Sequence, residues 1–341
     1  MSVADRSDAT SVEWRGHRVG RAFLLLPLLF ACGRPAERGG TDSAGAGQLV
    51  VFNAGSLTQP LRAALDTLAA RQGFTIAQEP AGSLETARKL TELGRIPDII
   101  ALADYEVFPS VLMPTYVSWY ARFARNRMVL AYTDKSRGAR EITPENWWRI
   151  ATRPDVEVGR SDPDVDPAGY RALMVWQLAE RHYGQPGLVK RLEVRSGRRN
   201  VRPKSADLVA LLQANELDYA WEYESVAVQA GLRFVRLPAA IDLGSPADSA
   251  EYAHAVVRVA GRSGGDTLTL RGEPIVYALS IPIGAPHPEL AARVVAWLLS
   301  PEARELLRAK HLDVLEPVTL VGSGVAAPIT QAARASEPSS Q

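Results

Sequence analysis

Cysteine is nearly missing from this sequence: Cys32 is the only one in 341 residues. A lone cysteine excludes an intrachain disulfide framework and any thiolate cluster of the kind that holds structural zinc. Histidine is scarce as well, with five in the chain and one of them, His17, close to the N-terminus. Neither sign of charge dominates. There are 39 Lys and Arg against 38 Asp and Glu, and a net charge of +1 gives no electrostatic footprint for nucleic acid. Lysine occurs only at positions 89, 135, 190, 204 and 310, so the basic residues are mostly Arg. No apolar run reaches the roughly 20 residues that a helix needs to cross a bilayer. What remains is an ordinary globular balance, 46% apolar and 23% charged, long enough for two domains.

The N-terminal segment reads as an address. Arg15, Arg18 and Arg21 precede Ala22 to Ala31, an apolar stretch with the length and basic flank of a signal-peptide core. Leu29-Phe30-Ala31-Cys32 resembles the bacterial lipoprotein cleavage box, which implies lipidation of Cys32 after removal of residues 1–31. The alternative is a plain secretory signal with an incidental cysteine. Residues 32–47 are rich in Gly, Ala, Arg and Ser with almost no large apolar side chain, and are expected to be a flexible tether. Residues 1–31 carry four Arg and three acids, so the body that follows holds 35 of each sign and has no net field to steer it toward a lipid surface.

Strand and helix patterns then alternate. Gln48 to Asn53, Phe74 to Gln78 and Pro97 to Asp104 read as strands. The stripe Leu57, Leu61, Ala64, Leu65, Leu68 and the segment Leu84 to Leu93 read as helices between them. The alternation predicts a parallel sheet with covering helices, and ligands at the carboxyl ends of its strands. Met128 to Thr133 is a strand that leads toward a second lobe, and Glu273 to Pro282 is the return strand. Between them lie helices at Gly169 to Tyr183 and Ser205 to Ala214, and strands near Val156, Asp218, Leu232 and Ala255. Two further helices, from Pro288 and Pro301, each begin with the residue whose missing N–H costs nothing in a first turn. Residues 323–341 are Ala-, Ser- and Pro-rich and are expected to be a disordered tail.

Six segments stand out: AGSL at 54–57, AGSLETARKLTELG at 81–94, DIIALADY at 98–105, MPTYVSWYARFARNRMVLAYT at 113–133, DPDVDPAGYR at 162–171 and DYAWEYESVAVQ at 218–229. Together they resemble the periplasmic molybdate/tungstate-binding proteins of ABC importers, in the tungstate-selective branch. The match runs from Gln48 to about Gly322. It implies an α/β, two-lobe periplasmic-binding-protein fold of type II, each lobe a mostly parallel sheet flanked by helices, with a hinge of crossing strands. Lobe one would comprise 48–130 plus 272–322, and lobe two 131–271. The implied function is that of an extracytoplasmic lipoprotein, anchored at Cys32 in the periplasm or cell envelope. It captures tungstate or molybdate between the lobes and delivers it to a membrane permease. The metal oxyanion is cargo, no cofactor is implied, and a monomer is expected.

The resemblance assigns roles to particular residues. Ser56 and Ser83 each follow a glycine at a helix start, where unpaired N–H groups favour an oxyanion. Read without the resemblance, each is as well explained as a helix cap worth about 1 kcal/mol. Asp166 and Glu222 pose a conflict, because two like charges 4 Å apart repel by about 1 kcal/mol in water and about 4 at an effective dielectric of 20. The conflict is relieved if the acids are protonated. It is also relieved if their oxygens bond the cargo's central atom, and the resemblance implies that Asp166 and Glu222 complete a six-coordinate molybdenum or tungsten centre. Pro167 and Ala168 would add backbone contacts. Glu224 would face away if its strand continued. Tyr105, Tyr170 and Tyr223 either line the cleft or pack, and Trp119, Trp147, Trp148, Trp176 and Trp297 read as packing. The alternatives are a binding protein for another oxyanion or for ferric iron, held by Tyr170 and Tyr223, and a lipoprotein sensor without transport. A serine hydrolase would use Ser56 or Ser83 with His254 or His287 as base and Asp98 or Asp166 as its orienter. It would not be announced by the usual motif, since neither serine lies in G-x-S-x-G.

Overall fold

The structure is a computed structural model that describes residues 48–261 and 265–336. The signal peptide, Cys32 and the tether lie outside the described residues. In chain order the strands are β1 (Gln48–Ala54), β2 (Thr75–Ala81), β3 (Ile99–Leu102), β4 (Trp119–Arg125), β5 (Met128–Tyr132), β6 (Val158–Ser161) and β7 (Val201–Arg202). They continue with β8 (Tyr219–Tyr223), β9 (Arg233–Arg236), β10 (Val256–Ala260), β11 (Thr267–Arg271), β12 (Val276–Ser280) and β13 (Asp313–Gly322). One sheet has the order β13-β4-β12-β3-β1-β2, the other β7-β6-β8-β5-β9, and β10 pairs with β11 alone. Each large sheet is flanked by helices and forms the centre of one lobe.

Both large sheets are mixed rather than mostly parallel. In the first, β2, β1 and β3 run parallel, while β12, β4 and β13 add antiparallel pairs. In the second, β7, β6 and β8 are parallel and β5 and β9 are antiparallel. The cause is the two-lobe path. Strand β4 leaves the first sheet for the second and β12 comes back, so neighbours with opposite errands run in opposite directions. Only Asn126 and Arg127 separate β4 from β5, and all of β5 belongs to the second sheet. The changeover therefore precedes Met128, just ahead of the boundary at 130 that the resemblance implies.

The helices follow their apolar stripes. In Thr58–Gln72 the buried residues are Pro60, Leu61, Ala64, Leu65 and Leu68, the face expected of an amphipathic helix lying on a sheet. Helix Pro167–His182 buries Tyr170, Met174, Val175, Trp176 and Leu178 against the second sheet. There Trp176 and Trp147 both meet Trp221 edge-on, with ring centroids 6.2 and 5.3 Å apart. Trp147 and Trp176 are fully buried, and Trp119 and Trp148 nearly so, as packing residues should be.

The C-terminal segment differs from expectation. Residues after Gly322 are not wholly disordered: Ala327–Arg334 is a helix whose Ile329 and Ala333 are buried. The Ser336 hydroxyl accepts the Val318 N–H at 2.8 Å and so ties the segment to β13. Small residues disguised the helix, because alanine contributes little to an apolar count yet is the best helix former. Ile329→Ala should cost about 2–4 kcal/mol in urea unfolding, the price of a buried aliphatic side chain. An unchanged midpoint would show that the segment does not pack.

Candidate functional site

Both sheets direct the carboxyl ends of their parallel strands at one place. Ser56 follows β1, Ser83 follows β2, and Ala103-Asp104 follow β3. From the other side, Asp166 follows β6, Ser205 follows β7, and Glu222 lies near the end of β8. This is where an α/β sheet offers helix N-termini and loops to a ligand. The two lobes touch here. A Cβ on Gly82 would lie 2.1 Å from the Val165 carbonyl oxygen, so only glycine permits the approach. The Glu85 N–H donates to that same carbonyl at 3.3 Å. A Cβ on Gly55, in the other AGSL motif, would be in ordinary contact with Lys204 and Ala206.

The serines are not caps. Ser83 is the first residue of helix Ser83–Thr91, behind Gly82, and its hydroxyl accepts the Ala103 N–H at 3.0 Å. The Ser56 hydroxyl accepts from Tyr277 Oη at 3.2 Å, and Tyr277 in turn accepts from the Asn126 amide at 2.8 Å. Burial first of all pushes the Tyr277 phenol up to about 12, which keeps it a donor. Each serine oxygen thus has a lone pair filled from behind. Among the described residues neither hydroxyl proton has an acceptor, so both remain free to donate.

The acids are sealed. Asp166 is 5% exposed and Glu222 0%. Asp166 stands at the start of helix Pro167–His182 without capping it, and Oδ2 instead accepts the Ser205 N–H at 2.8 Å. Burial pushes its carboxyl up to about 6, opposed by Ser161 and by the Ser205 and Ala168 N–H groups. Glu222 is raised well above the usual carboxyl range, by burial first and then by the charge of Asp166. Ser205 and the Tyr223 N–H approach it closely enough to oppose the shift, but neither carboxylate oxygen has a hydrogen-bond partner among the described residues. Pro167 and Ala168 are buried beside Asp166. Pro167 has no N–H to give, so of the two only Ala168 can donate from its backbone.

Other sequence candidates lie elsewhere. Glu224 begins the helix after β8 and faces Arg127 and Arg236 at 3.3 and 2.6 Å. The hydrolase reading keeps its base and orienter but not its nucleophile: His287 Nδ1 lies 3.1 Å from Asp98 Oδ1, Asp98 also accepts the Val50 and His287 backbone N–H groups, and His254 contacts Glu251. Among the described residues no histidine is hydrogen-bonded to Ser56 or Ser83. Tyr105 meets Glu273, outside the two serines and two acids. Three contributors escaped the sequence reading. Tyr277 and Asn126 hold Ser56, and Arg171 reaches back to Ala103 and Asp104. Arg171 and Asp104 sit inside the quoted motifs, but nothing in spacing told that they would meet.

Known proteins resemble the chain in sequence and in fold. The family described as bacterial extracellular solute-binding protein matches residues 49–313. An uncharacterized solute-binding protein of Petrotoga mobilis is 42% identical over 272 residues, spanning 80% of this chain and 85% of the relative. The molybdate/tungstate-binding protein WtpA of Pyrococcus abyssi is 36% identical over 304 residues, spanning 81% and 87%. The periplasmic molybdate-binding protein of Azotobacter vinelandii has the same fold, with a TM-score of 0.55 at 13% identity over 77% of this chain and 98% of that one.

The raised acids carry a pH signature. An acid whose pKa is raised by burial favours the closed form when protonated, so closure without cargo is lost as pH rises, through about 6 for Asp166 and higher for Glu222. Small-angle scattering of the cargo-free protein should give a smaller radius of gyration at about pH 5 than at about pH 8. Glu222→Gln, which carries no charge to desolvate, should be the more compact protein at the higher pH.

Proposed function

The chain belongs to the bacterial extracellular solute-binding protein family, and from that premise we propose that its cargo is a tetrahedral metal oxyanion, tungstate or molybdate. The protein captures it in the cleft between the lobes and hands it to the permease of an ABC importer. One observation supports this above the others. Ser56 and Ser83, whose hydroxyl protons have no acceptor among the described residues, follow strands of one lobe at the place where its loops meet those of the other, and there two carboxyl groups are buried, one of them without any partner. The serines, with the N–H groups of their helix starts and of Ala168, suit the oxygens of an anion. Asp166 and Glu222 suit what lies inside those oxygens. Tungsten(VI) and molybdenum(VI) accept further oxygen ligands, whereas sulfur in sulfate does not, so the acids favour the metal oxyanions through bonds to the central atom that sulfate cannot form.

Order of events follows from the placement. The first lobe, with Ser56 and Ser83, meets the anion through donors alone. The second lobe then brings Asp166 and Glu222, whose carboxyl protons pass to water as the lobes close and their oxygens turn to the metal. Opening restores both acids to water. Ferric iron is the weaker reading. The Tyr170 and Tyr223 hydroxyls are already engaged with Asp104 and Arg171, and burial holds both phenols well above their usual range, against the phenolate that iron needs.

The family's extracellular placement puts the protein in the cell envelope. No helix among the described residues is long and apolar enough to cross a membrane. We read Cys32 as the point of lipid attachment, with residues 32–47 as tether and the binding body acting as a monomer. Cys32→Ser should then move the protein from the membrane fraction to the soluble envelope fraction. The same partition for both proteins would remove the anchor.

Titration with tungstate, molybdate and sulfate, read by intrinsic tryptophan fluorescence or calorimetry, tests the cargo. Tungstate and molybdate should bind and sulfate should not compete. Glu222→Gln should weaken tungstate at least about tenfold, which corresponds to about 1.4 kcal/mol, with circular dichroism unchanged. Equal affinity in the variant would remove Glu222 from the site.

A further inference from the structure

One buried ion pair crosses the cleft without belonging to the cargo site. Asp104 follows β3 in the first lobe, and Arg171 lies on helix Pro167–His182 of the second. They are 6% and 4% exposed. Arg171 Nη2 stands 3.3 Å from Asp104 Oδ2, and Nη1 donates to the Ala103 carbonyl and to Tyr223 Oη, both at 2.7 Å. The Tyr170 hydroxyl donates to the same Asp104 oxygen. The other Asp104 oxygen accepts the Glu106 N–H at 3.0 Å. Both charges are therefore matched, but only while the lobes touch.

The pair is also wired to both halves of the site. Ala103 gives its N–H to Ser83 and its carbonyl to Arg171, so one peptide segment fixes a cleft serine and receives the opposite lobe. Arg171 lies five residues beyond Asp166, on the helix that Asp166 begins. Tyr223, which Arg171 also holds, is next to Glu222 and meets Tyr277 edge-on at 5.9 Å.

We propose that Asp104 and Arg171 form an interlobe latch, a pair of positioning residues that seats Asp166 and Glu222 opposite Ser83 and Ser56 and sets how long cargo is retained. The proposal rests on the closure reading above and adds a timing element to it. In the open form each charge is hydrated and costs nothing. In the closed form removing one partner leaves the other desolvated and alone, which penalises closure strongly, while removing both does not. Retention is therefore controlled by residues that the anion need not touch.

Stopped-flow tryptophan fluorescence with tungstate on the full chain tests this. Asp104→Asn and Arg171→Gln should each speed release at least tenfold and leave the association rate constant within about threefold, because capture begins on the open form. The double variant should release more slowly than the product of the single effects requires, since neither member leaves an unpaired charge. Tyr170→Phe, which removes one hydroxyl and no charge, should have a smaller effect of the same sign and serves if a charge variant fails to fold. Release rates within twofold of wild type in all variants, or strict additivity in the double variant, would overturn the latch. Should tungstate fail to bind the wild type, the cargo reading falls and the latch is judged separately, on cargo-free Glu222→Gln protein. Adding Asp104→Asn there should enlarge the radius of gyration, and an unchanged radius would overturn it.

Discussion

A carboxylate sealed from water with nothing to accept from costs several kcal/mol, and proteins ordinarily avoid it by protonation or by pairing. Glu222 is sealed in this way, on a strand buried along its whole length, with a second acid close enough to push its pKa further up. Among the described residues no cation is paired with it as relief. Arg171, the charge that might have served, is turned to Asp104 and the Ala103 carbonyl. The site thus holds an acid that only its own proton, or a ligand bonded to its oxygens, can relieve. The other lobe carries two hydroxyl protons, on Ser56 and Ser83, that lack an acceptor among the described residues. A guest that accepts at its periphery and is a Lewis acid at its centre relieves both at once.

The fold makes such an opposition available cheaply. Two separate sheets each gather loops at the carboxyl ends of parallel strands, and a chain that changes sheets twice can turn those ends to face one another. Donors reside on one lobe and acids on the other, so neither half has to hold both kinds of group near each other in the open form. The antiparallel strands β4, β5 and β12 are the consequence of the double changeover. Through Asn126, which bonds Tyr277 in the first sheet and Ser225 in the second lobe, the changeover itself is tied to the serine at the end of β1.

Much of this was legible in advance, and the reasons for the exceptions are physical. Strands β1 and β3 announce themselves because their apolar runs are largely buried, and β2, which is half-exposed and carries Gln78 and Glu79, is legible from its place between two helical patterns. Strand β4 was hidden by Arg122 and Arg125, which interrupt the run yet remain in the sheet; the Arg122 guanidinium lies over the Tyr105 ring at 3.8 Å. Strand β13 was hidden by Pro317, which is tolerated because β13 is an edge strand with a register shift at that point. Ser56, Ser83, Asp166 and Glu222 could be named from motifs. That the serines accept from behind, that Glu222 lacks partners and that Asp104 meets Arg171 are facts about residues far apart in the chain, and no local pattern carries them.

The contact at Gly82 has a mechanical meaning. Backbone meets backbone there, with less room than a methyl group requires, so the shut cleft has a hard stop and its interior is a gauge of fixed bore. A guest of the right girth lets the jaws seat fully. A larger cluster anion would prop them ajar, and the outer outline of the molecule would differ by the amount of that gap. Any partner that reads the outline of the shut protein is thereby reading the size of what is inside, without ever seeing it.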